Sequence, residues 1–375
     1  MSRPVPDFSA LARSAIRGLR AYDPGHDIVA LRRARAGLVE LGSNENAWGC
    51  SPRVADALLA ALPQIHRYPD PLGTSLKRAL AQRHGVPMAG VLLGNGSHEL
   101  LMQFAQAFAG PGADVAMARY GFAVYAIAAK AVGARLLVAP AQPADAPMPR
   151  GHDLDALAEL VAANASSVRL VYLANPNNPT GTWFGNEALE RLLQSLPPRV
   201  LLVVDEAYAE FVDDPAIGTA VDLLSEHPNL IVTRTFSKAY GLAGLRVGYA
   251  LGHPSLMAVM ERLRESFNVN LPGLAAAEAA LADGLHLASV RVRNASERSR
   301  LGEALAARGL RIAPSQTNFL LVEFGPRCTA IETALLNEGV VVRPMGGYGL
   351  DQCLRITVGR GGENDRLLAA LDRVL

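Results

Sequence analysis

Short apolar runs alternate with longer amphipathic segments through the middle of the chain, and this alternation constrains the fold more than any other feature. The runs occupy residues 91–93, 115–117, 168–173, 200–204 and 230–232. They are almost entirely apolar, which is typical of strands that are buried on both faces. The segments between them are long enough to form helices. The pattern therefore predicts an α/β fold with a mostly parallel sheet between layers of helices.

Polar residues follow these runs, at the edge of the sheet where folds of this kind bind ligands. Lys238 lies in the stretch 233–249, which is rich in glycine and follows an apolar run. Burial disfavours the charged form of a lysine, so it lowers the pKa and makes the amine a nucleophile. A lysine on a surface turn is the simpler alternative. Thr235, Ser237 and Arg246 favour the first interpretation, because they could hold a phosphate beside an imine-forming amine, as in pyridoxal phosphate binding.

Three further residues fit the same chemistry, although each has a simpler alternative. Asp205 directly follows the run 200–204 and could cap a helix or pair with a protonated pyridine nitrogen. Tyr208 comes three residues later and could be a core tyrosine or a donor to the cofactor's ring oxygen. Asn178 belongs to the loop 175–181, whose prolines predict a stiff turn that could present an amide to that oxygen.

The loop 94–99 leads from an apolar run into a helix, and a helix N-terminus of this kind attracts phosphate. It is not G-x-G-x-x-G, because Glu99 occupies the sixth position, and it is not a P-loop, because no GK[ST] follows. The absence of G-x-G-x-x-G disfavours a nicotinamide-dependent dehydrogenase. Tyr120 and Phe122 follow the next run, and either could stack on a flat ring or pack in the core.

Two arginines near the C-terminus interrupt strands that are otherwise apolar. Arg343 ends the run 340–343 and Arg355 lies within 353–358, on either side of a glycine-rich turn. A single arginine would be read as a surface residue. Two arginines in such strands are expected to converge on an anionic substrate through forked hydrogen bonds.

Composition and charge argue against several classes of function. The net charge is +1 over 375 residues, which gives no reason to expect nucleic acid or an anionic membrane as a partner. The N-terminus lacks the apolar segment of a signal peptide, and no apolar stretch reaches the roughly 18 residues of a membrane span. Three cysteines and eight histidines without ligand spacing predict neither a disulfide framework nor a metal site. A cytoplasmic protein is therefore expected.

The chain is predicted to divide into three regions. Residues 1–35 form a polar N-terminal arm, residues 36–260 a large domain, and residues 261–375 a small α+β domain. Near the second boundary, a long helix is predicted over 254–267, and Leu-Pro-Gly at 271–273 predicts a break in helical structure.

A set of short motifs runs through the chain in a fixed order. They are YDPG at 22–25, NEN at 44–46, RYPD at 67–70, FAVY at 122–125, PNNPTG at 176–181, DEAY at 205–208, FSK at 236–238, GLAGLRVG at 241–248, VRP at 342–344 and LRITVG at 354–359. This set resembles the aspartate-aminotransferase superfamily of fold-type I pyridoxal-phosphate enzymes, and most closely the histidinol-phosphate aminotransferases. The resemblance covers nearly the whole chain. It implies a large domain built on a seven-stranded, mostly parallel sheet.

The resemblance also implies a role for each candidate residue. Lys238 would bind pyridoxal 5′-phosphate covalently and move a proton between the substrate carbon and the cofactor. Asp205 would pair with the pyridine nitrogen, and Phe122 would stack on the ring, because it stands three residues before a tyrosine as the family's stacking aromatic does. The other cofactor contacts would be Asn178 and Tyr208 at the ring oxygen and Ser97, His98, Thr235, Ser237 and Arg246 at the phosphate, with Tyr68 supplied by the second subunit of a homodimer. The substrate-binding residues would be Tyr22, Asn44, Arg343 and Arg355.

The reaction that the resemblance implies is transamination of L-histidinol phosphate with 2-oxoglutarate, which gives imidazole-acetol phosphate and glutamate in histidine biosynthesis. An aromatic amino-acid aminotransferase or a threonine-phosphate decarboxylase would share the cofactor residues. A non-catalytic effector-binding module of a regulator is disfavoured, because the arm is too short for a DNA-binding domain. The chain departs from the family at His98, where an acidic residue is usual, and in the loop around Trp48, where the choice of substrate is expected to be made.

Overall fold

The computed structural model describes residues 7–19 and 26–375. Its strands are β1 Val39–Glu40, β2 Val91–Gly94, β3 Asp114–Ala118, β4 Leu136–Ala139, β5 Val168–Ala174, β6 Leu201–Asp205, β7 Leu230–Thr235, β8 Gly248–Gly252, β9 Arg311–Ile312, β10 Phe319–Glu323, β11 Val340–Val341, β12 Arg343–Met345 and β13 Leu350–Thr357. Its helices are α1 Phe8–Leu11, α2 Ser14–Arg17, α3 Ile28–Ala34, α4 Pro52–Ala61, α5 Thr74–His84, α6 Ser97–Phe108, α7 Ala123–Ala131, α8 Leu154–Ala163, α9 Asn186–Ser195, α10 Pro254–Met260, α11 Leu271–Leu281, α12 Gly284–Ala306, α13 Cys328–Asn337 and α14 Gly361–Val374.

A seven-stranded sheet forms the centre of the molecule, with the strand order β2-β8-β7-β6-β5-β3-β4. The strands from β7 to β4 are parallel, whereas β8 is antiparallel to both of its neighbours. The direction of β8 follows from its connection. Thr235 at the end of β7 pairs with Gly248 at the start of β8, so the loop between them turns back beside the sheet. The predicted α/β fold with a mostly parallel seven-stranded sheet between helices is confirmed.

The two faces of the sheet contribute to two separate cores. Leu202 and Val204 of β6 pack in one core with residues of α5, α8, α9 and α11. Val203 points to the opposite face and packs in the other core with residues of α6 and α7. Successive side chains of a strand alternate between faces, so burial on both sides requires every position to be apolar. The continuous apolar runs of the sequence are explained by these two cores.

The C-terminal part of the chain forms a smaller unit with a core of its own. Its antiparallel sheet has the order β12-β13-β10-β9, and α12, α13 and α14 contribute to the core beside it. β1 also belongs to this C-terminal unit, because Val39 pairs in parallel with Val340 of β11, and Val39 and Leu41 lie in the same core. The domain bounds proposed from the sequence stay a prediction, and the chain leaves the C-terminal unit for the large sheet just after Leu41.

Two local predictions near the boundary are wrong. The helix expected over 254–267 ends at Met260, and the chain then turns, with Arg264 donating to the backbone and side-chain oxygens of Asn268. The break expected at 271–273 is the first turn of α11. Asn270 caps this helix by accepting a hydrogen bond from the Gly273 backbone N–H at 2.7 Å. Proline is tolerated in the first turn because the N–H that it lacks has no intrahelical acceptor there.

Within residues 7–19 and 26–375, no helix has the combination of length and apolar character needed to cross a membrane.

Candidate active site

A cavity of about 240 Å³ opens at the carboxyl ends of the central parallel strands, between the large sheet and the C-terminal unit. Nearly all of the residues predicted for the site line it. They are Asn44, Ser97, His98, Phe122, Asn178, Asp205, Tyr208, Thr235, Ser237, Lys238, Arg246, Arg343 and Arg355. Gly42, Ser43, Ala174, Pro176 and Ala207 complete the lining. The part around Lys238, Asp205 and Arg246 is called the cofactor end below, and the part around Arg343 and Arg355 the arginine end.

Lys238 lies in the loop between β7 and β8. Its Nζ donates to the backbone oxygens of Asn44 at 3.1 Å and Ser43 at 3.4 Å. Burial, and then the positive charge of Arg355, lower the pKa of Lys238 to about 7. A substantial fraction of the amine is therefore neutral near pH 7, which is the form that attacks a carbonyl carbon.

Asp205 ends β6 and is 4 % exposed. Thr233 donates to its Oδ1 at 2.9 Å and Tyr125 donates to its Oδ2 at 3.2 Å. Burial raises the pKa of Asp205 to about 6, against the opposing effect of these two hydrogen bonds. A buried carboxyl with only neutral donors is under-stabilised as an anion, and a cationic partner relieves that deficit. Asp205 thus fits a protonated ring nitrogen.

An anion site lies where α6 begins. Gly96 precedes the helix with φ +79°, and a Cβ atom at this position would lie 2.5 Å from the Arg246 guanidinium. Gly248 allows a similarly close approach, since its Cβ would lie 2.4 Å from the Ser97 backbone nitrogen. Arg246 Nη1 donates to Ser237 Oγ at 3.2 Å. The glycines bring a guanidinium and the N–H groups of a 12-residue helix together, which is the donor set that binds phosphate.

Other predicted phosphate contacts adjoin this anion site. Thr235 Oγ1 accepts a hydrogen bond from the Ser237 backbone N–H at 3.1 Å, which fixes the start of the lysine loop. His98 lies in the first turn of α6, and partial burial together with Arg246 lowers its pKa.

Asn178 and Tyr208 lie between the two ends of the cavity. Arg355 Nη1 donates to Asn178 Oδ1 at 2.7 Å, so the amide offers its Nδ2 hydrogens to a ligand. Burial raises the pKa of Tyr208 to about 12, although Arg355 and a hydrogen bond from Asn44 oppose this rise. The phenol is therefore neutral and can donate. Two donors side by side fit an anionic ring oxygen.

The two aromatic candidates have different surroundings. Phe122 lines the cavity at the start of α7, three residues before Tyr125. Tyr120 packs instead against the cluster of Leu321, Met345 and Leu350 in the C-terminal unit. Phe122 is thus the aromatic that a ligand in the cavity would meet.

The arginine end is built by neighbouring antiparallel strands, in which Arg343 of β12 is the cross-strand partner of Arg355 of β13. Arg355 is 9 % exposed, and its Nη2 donates to the backbone oxygen of Gly42 at 2.8 Å. Guanidinium groups on facing residues of adjacent strands can donate to one anion.

Three residues singled out in the sequence lie elsewhere. Tyr22 is outside the described residues. Tyr68 is 79 % exposed and stacks on Phe267 with a centroid separation of 4.3 Å, so it does not line the cavity of its own chain. Trp48 packs against the cluster of Tyr208 and Phe319 and supports the wall behind the cavity.

The sequence analysis missed two side chains that contact Asp205. Thr233 is its cross-strand partner in the register between β6 and β7, so adjacent parallel strands would have identified it. Tyr125 was used in the sequence only to select Phe122, which stands three residues before it. No local signal identified Ser43 and Gly42, because they act through backbone oxygens.

These residues fit pyridoxal phosphate on chemical grounds. The cavity offers an amine with a lowered pKa, a buried carboxylate suited to a cation, two donors suited to a ring oxygen and an anion site at a helix N-terminus. Each matches one functional group of that cofactor.

Residues 36–374 match the family described as Aminotransferase class I and II. The chain belongs to this family. "Histidinol-phosphate aminotransferase 2" of Pseudomonas aeruginosa is 46% identical to this aminotransferase over 375 residues, covering 99% of each chain.

Solved structures agree with this membership. The histidinol-phosphate aminotransferase of Sinorhizobium meliloti, crystallised in complex with pyridoxal-5′-phosphate, superimposes with a TM-score of 0.87 at 35% identity and covers 96% of both chains. The L-threonine-O-3-phosphate decarboxylase of Porphyromonas gingivalis superimposes with a TM-score of 0.76 at 25% identity, covering 90% of this aminotransferase and 99% of that chain. The aminotransferase therefore has the fold of pyridoxal-phosphate enzymes.

Proposed function

We propose that this aminotransferase transfers the amino group of L-histidinol phosphate to 2-oxoglutarate, giving imidazole-acetol phosphate and glutamate, with pyridoxal 5′-phosphate as cofactor. The observation that carries the proposal is the pairing of Arg343 with Arg355 at the cavity that contains Lys238. Two guanidinium groups suit both substrates, because a phosphate and the carboxylates of glutamate are anions that forked donors recognise. The name of the Pseudomonas aeruginosa relative, which matches along its whole length, supports the same reaction.

When bound, pyridoxal phosphate supplies the carbonyl carbon that takes up the amino group and a ring that accepts electrons. Lys238 Nζ would take a proton from the reacting carbon of the amino donor and pass it to the cofactor, a role that its pKa of about 7 suits. Asp205 Oδ holds a proton on the ring nitrogen, and Thr233 and Tyr125 orient the carboxylate.

The remaining residues bind and orient. Tyr208 and Asn178 donate to the ring oxygen, and Phe122 covers one face of the ring and excludes water. Arg246, Ser237, Thr235, Ser97 and His98 hold the cofactor phosphate. At the arginine end, Arg355 binds the α-carboxylate of glutamate, and Arg343 joins it when the phosphate of histidinol phosphate is bound.

Lys238→Ala tests the cofactor site. The chain offers a matched control in Lys130, an exposed lysine in α7 that lies outside the cavity. The purified protein should absorb visible light, and borohydride reduction followed by peptide mapping should place the label on Lys238. Lys130→Ala should keep both signals. A labelled Lys130, or an unchanged band in Lys238→Ala, would contradict the assignment.

A panel of donors tests the substrate. Histidinol phosphate, phenylalanine, tyrosine and O-phosphothreonine would each be supplied with 2-oxoglutarate, and glutamate and carbon dioxide would both be measured. Histidinol phosphate should give the highest kcat/KM without release of carbon dioxide. Faster turnover of phenylalanine or tyrosine would identify an aromatic aminotransferase. Carbon dioxide from O-phosphothreonine would favour a decarboxylase, the reaction of one structural neighbour.

We also propose a cytoplasmic homodimer in which Tyr68 reaches the neighbour's cofactor phosphate. Tyr68 stacks on the exposed ring of Phe267, and its sequence neighbours Ile65 and Leu72 are exposed apolar side chains as well. Mixing Lys238→Ala with Tyr68→Ala subunits tests the crossing, because one site of the hybrid dimer then has both residues intact. Recovery of activity on mixing is expected. No recovery would mean that Tyr68 serves its own chain.

A further inference from the structure

Asn44 occupies the segment that joins the C-terminal unit to the large sheet, and its contacts differ from those of a substrate-binding residue. It is 1 % exposed and has φ 54°, a left-handed conformation that asparagine tolerates better than most residues. Its backbone oxygen accepts hydrogen bonds from Lys238 Nζ at 3.1 Å and from Asn318 Nδ2 at 3.2 Å. Asn44 is therefore held by Asn318 of the C-terminal unit and contacts the amine of Lys238 beside the large sheet.

The side-chain amide of Asn44 joins two hydroxyl groups. Its Nδ2 donates to the Tyr208 hydroxyl oxygen at 2.9 Å, and its Oδ1 accepts from Thr357 Oγ1 at 3.3 Å. Thr357 Oγ1 also accepts from the Asn44 backbone N–H at 3.0 Å. If the amide were reversed, Asn44 Nδ2 and the Asn44 backbone N–H would both face Thr357 Oγ1. The hydroxyl hydrogen of Thr357 would then lose Asn44 Oδ1 as its acceptor. Thr357 therefore sets the orientation of the amide.

The orientation of the amide determines what Tyr208 can do. Because Asn44 Nδ2 donates to the phenol oxygen, the phenol hydrogen must point away from Asn44. Tyr208 lines the cavity, so a ligand oxygen there receives that hydrogen. An acceptor in place of Nδ2 would attract the hydrogen to itself.

We propose that Thr357 and Asn44 form a hydrogen-bond relay that makes Tyr208 a donor to the ring oxygen of the cofactor. Asn44 is then a positioning residue for Tyr208 and Lys238 and does not contact the substrate. The inference rests on the proposed cofactor site and goes beyond it, since it assigns a role in that site to Thr357 of β13. The relay also connects the strand that carries Arg355 to the cofactor end.

The test uses the pH titration of the visible absorbance of the cofactor-bound protein. Without a donor at the ring oxygen, the deprotonated form of the bound cofactor has an uncompensated negative oxygen, so the titration should move to higher pH. Asn44→Asp keeps the shape of the side chain but replaces the donor with an acceptor and adds a negative charge. Both changes act in the same direction, so the midpoint should rise by at least about one unit, the effect of one hydrogen bond to a charged group. Thr357→Val should shift it in the same direction by less, and Thr357→Ser should stay close to the unsubstituted protein.

Two controls separate the relay from a general loss of structure. Thr317→Val removes another buried hydroxyl of the C-terminal unit, one that bonds to Ser315 and Phe319, and should leave the titration unchanged. In a Tyr208→Phe background, the uncharged substitution Thr357→Val should add little, because the two changes act on one hydrogen bond. Additive shifts, or equal shifts in Thr357→Val and Thr317→Val, would overturn the relay. Absence of a visible band in the unsubstituted protein would instead overturn the proposed cofactor site, and the relay with it.

Discussion

The cofactor end and the arginine end of the cavity are built in different ways. Lys238, Asp205 and Arg246 come from the ends of adjacent strands in one sheet and from the loop between β7 and β8. Arg343 and Arg355 come from the C-terminal unit and reach the large sheet through contacts such as the one from Arg355 to Asn178. We therefore expect the cofactor end to determine whether the cofactor is held and the arginine end to determine which substrate is accepted. Substitutions at the two ends should therefore have separable effects.

The largest effect is expected from Asp205→Asn at the cofactor end. The amide cannot stabilise a protonated ring nitrogen as a carboxylate does, so kcat should fall by about 10³-fold, in the range found when one partner of a buried ion pair is removed. Steady-state kinetics with both substrates measure this. Because the cofactor serves both half-reactions, the loss should be similar for histidinol phosphate and for glutamate. A fall in kcat for only one of the two substrates would contradict the separate roles of the two ends.

Asp205→Asn should lower kcat but raise the stability of the protein without cofactor at neutral pH. The pKa of Asp205 is raised from 3.8 to about 6 by burial, so the unfolded chain ionises at lower pH than the folded one. Stability of the apo form should consequently fall as pH rises through this window and remain lower above it. Asp205→Asn removes this dependence and should stabilise the apo protein at neutral pH by at most about 3 kcal/mol.

Chemical unfolding of both apo proteins at several values between about pH 4 and pH 8 tests this prediction. An apo form that gains stability with pH over this range, and loses it on substitution, would mean that a cation already compensates Asp205.

At the arginine end, Arg343→Gln should alter the choice of substrate. Loss of a charged donor to phosphate should raise KM for histidinol phosphate by about 10- to 100-fold, whereas KM for glutamate and the visible absorbance should change little. Arg293→Gln, at an exposed position of α12, is the matched control. Equal losses with both substrates would assign Arg343 to the cofactor end instead.

The smallest effect is expected from Phe122→Leu. Leucine keeps most of the apolar contact but loses ring stacking, so cofactor affinity should fall by about 3- to 10-fold. Reconstitution of the apo protein with increasing pyridoxal phosphate measures this. Tyr120→Leu should not alter cofactor affinity, because Tyr120 packs in the C-terminal unit. A reversed order of the two variants would identify Tyr120 as the stacking residue.

Different parts of the site also differ in how well the sequence predicts their contacts. Asp205 and Lys238 follow apolar runs, and parallel strands place such residues at one edge of a sheet, so local patterns suffice. The contacts of Asn44 depend on Thr357, more than three hundred residues away in the sequence, and on the pairing of a two-residue strand. No local pattern specifies such a pairing. The prediction of a break where α11 begins failed for another reason. Proline is compatible with both a break and a first helical turn, and only the cap from Asn270 decides between them.

The pairing of β1 with β11 bears on the order in which the protein can fold. Val39 can pair only once Val340 has been synthesised, long after the strands of the large sheet. Until then Val39 and Leu41 have no core to enter, while the strands from β2 to β8 already have all of their neighbours. The large sheet can therefore form during translation before the C-terminal unit closes. The segment that holds Lys238 and Tyr208 through Asn44 consequently becomes ordered late, so a nascent chain can complete the site only after Val340 and the strands around it have been synthesised.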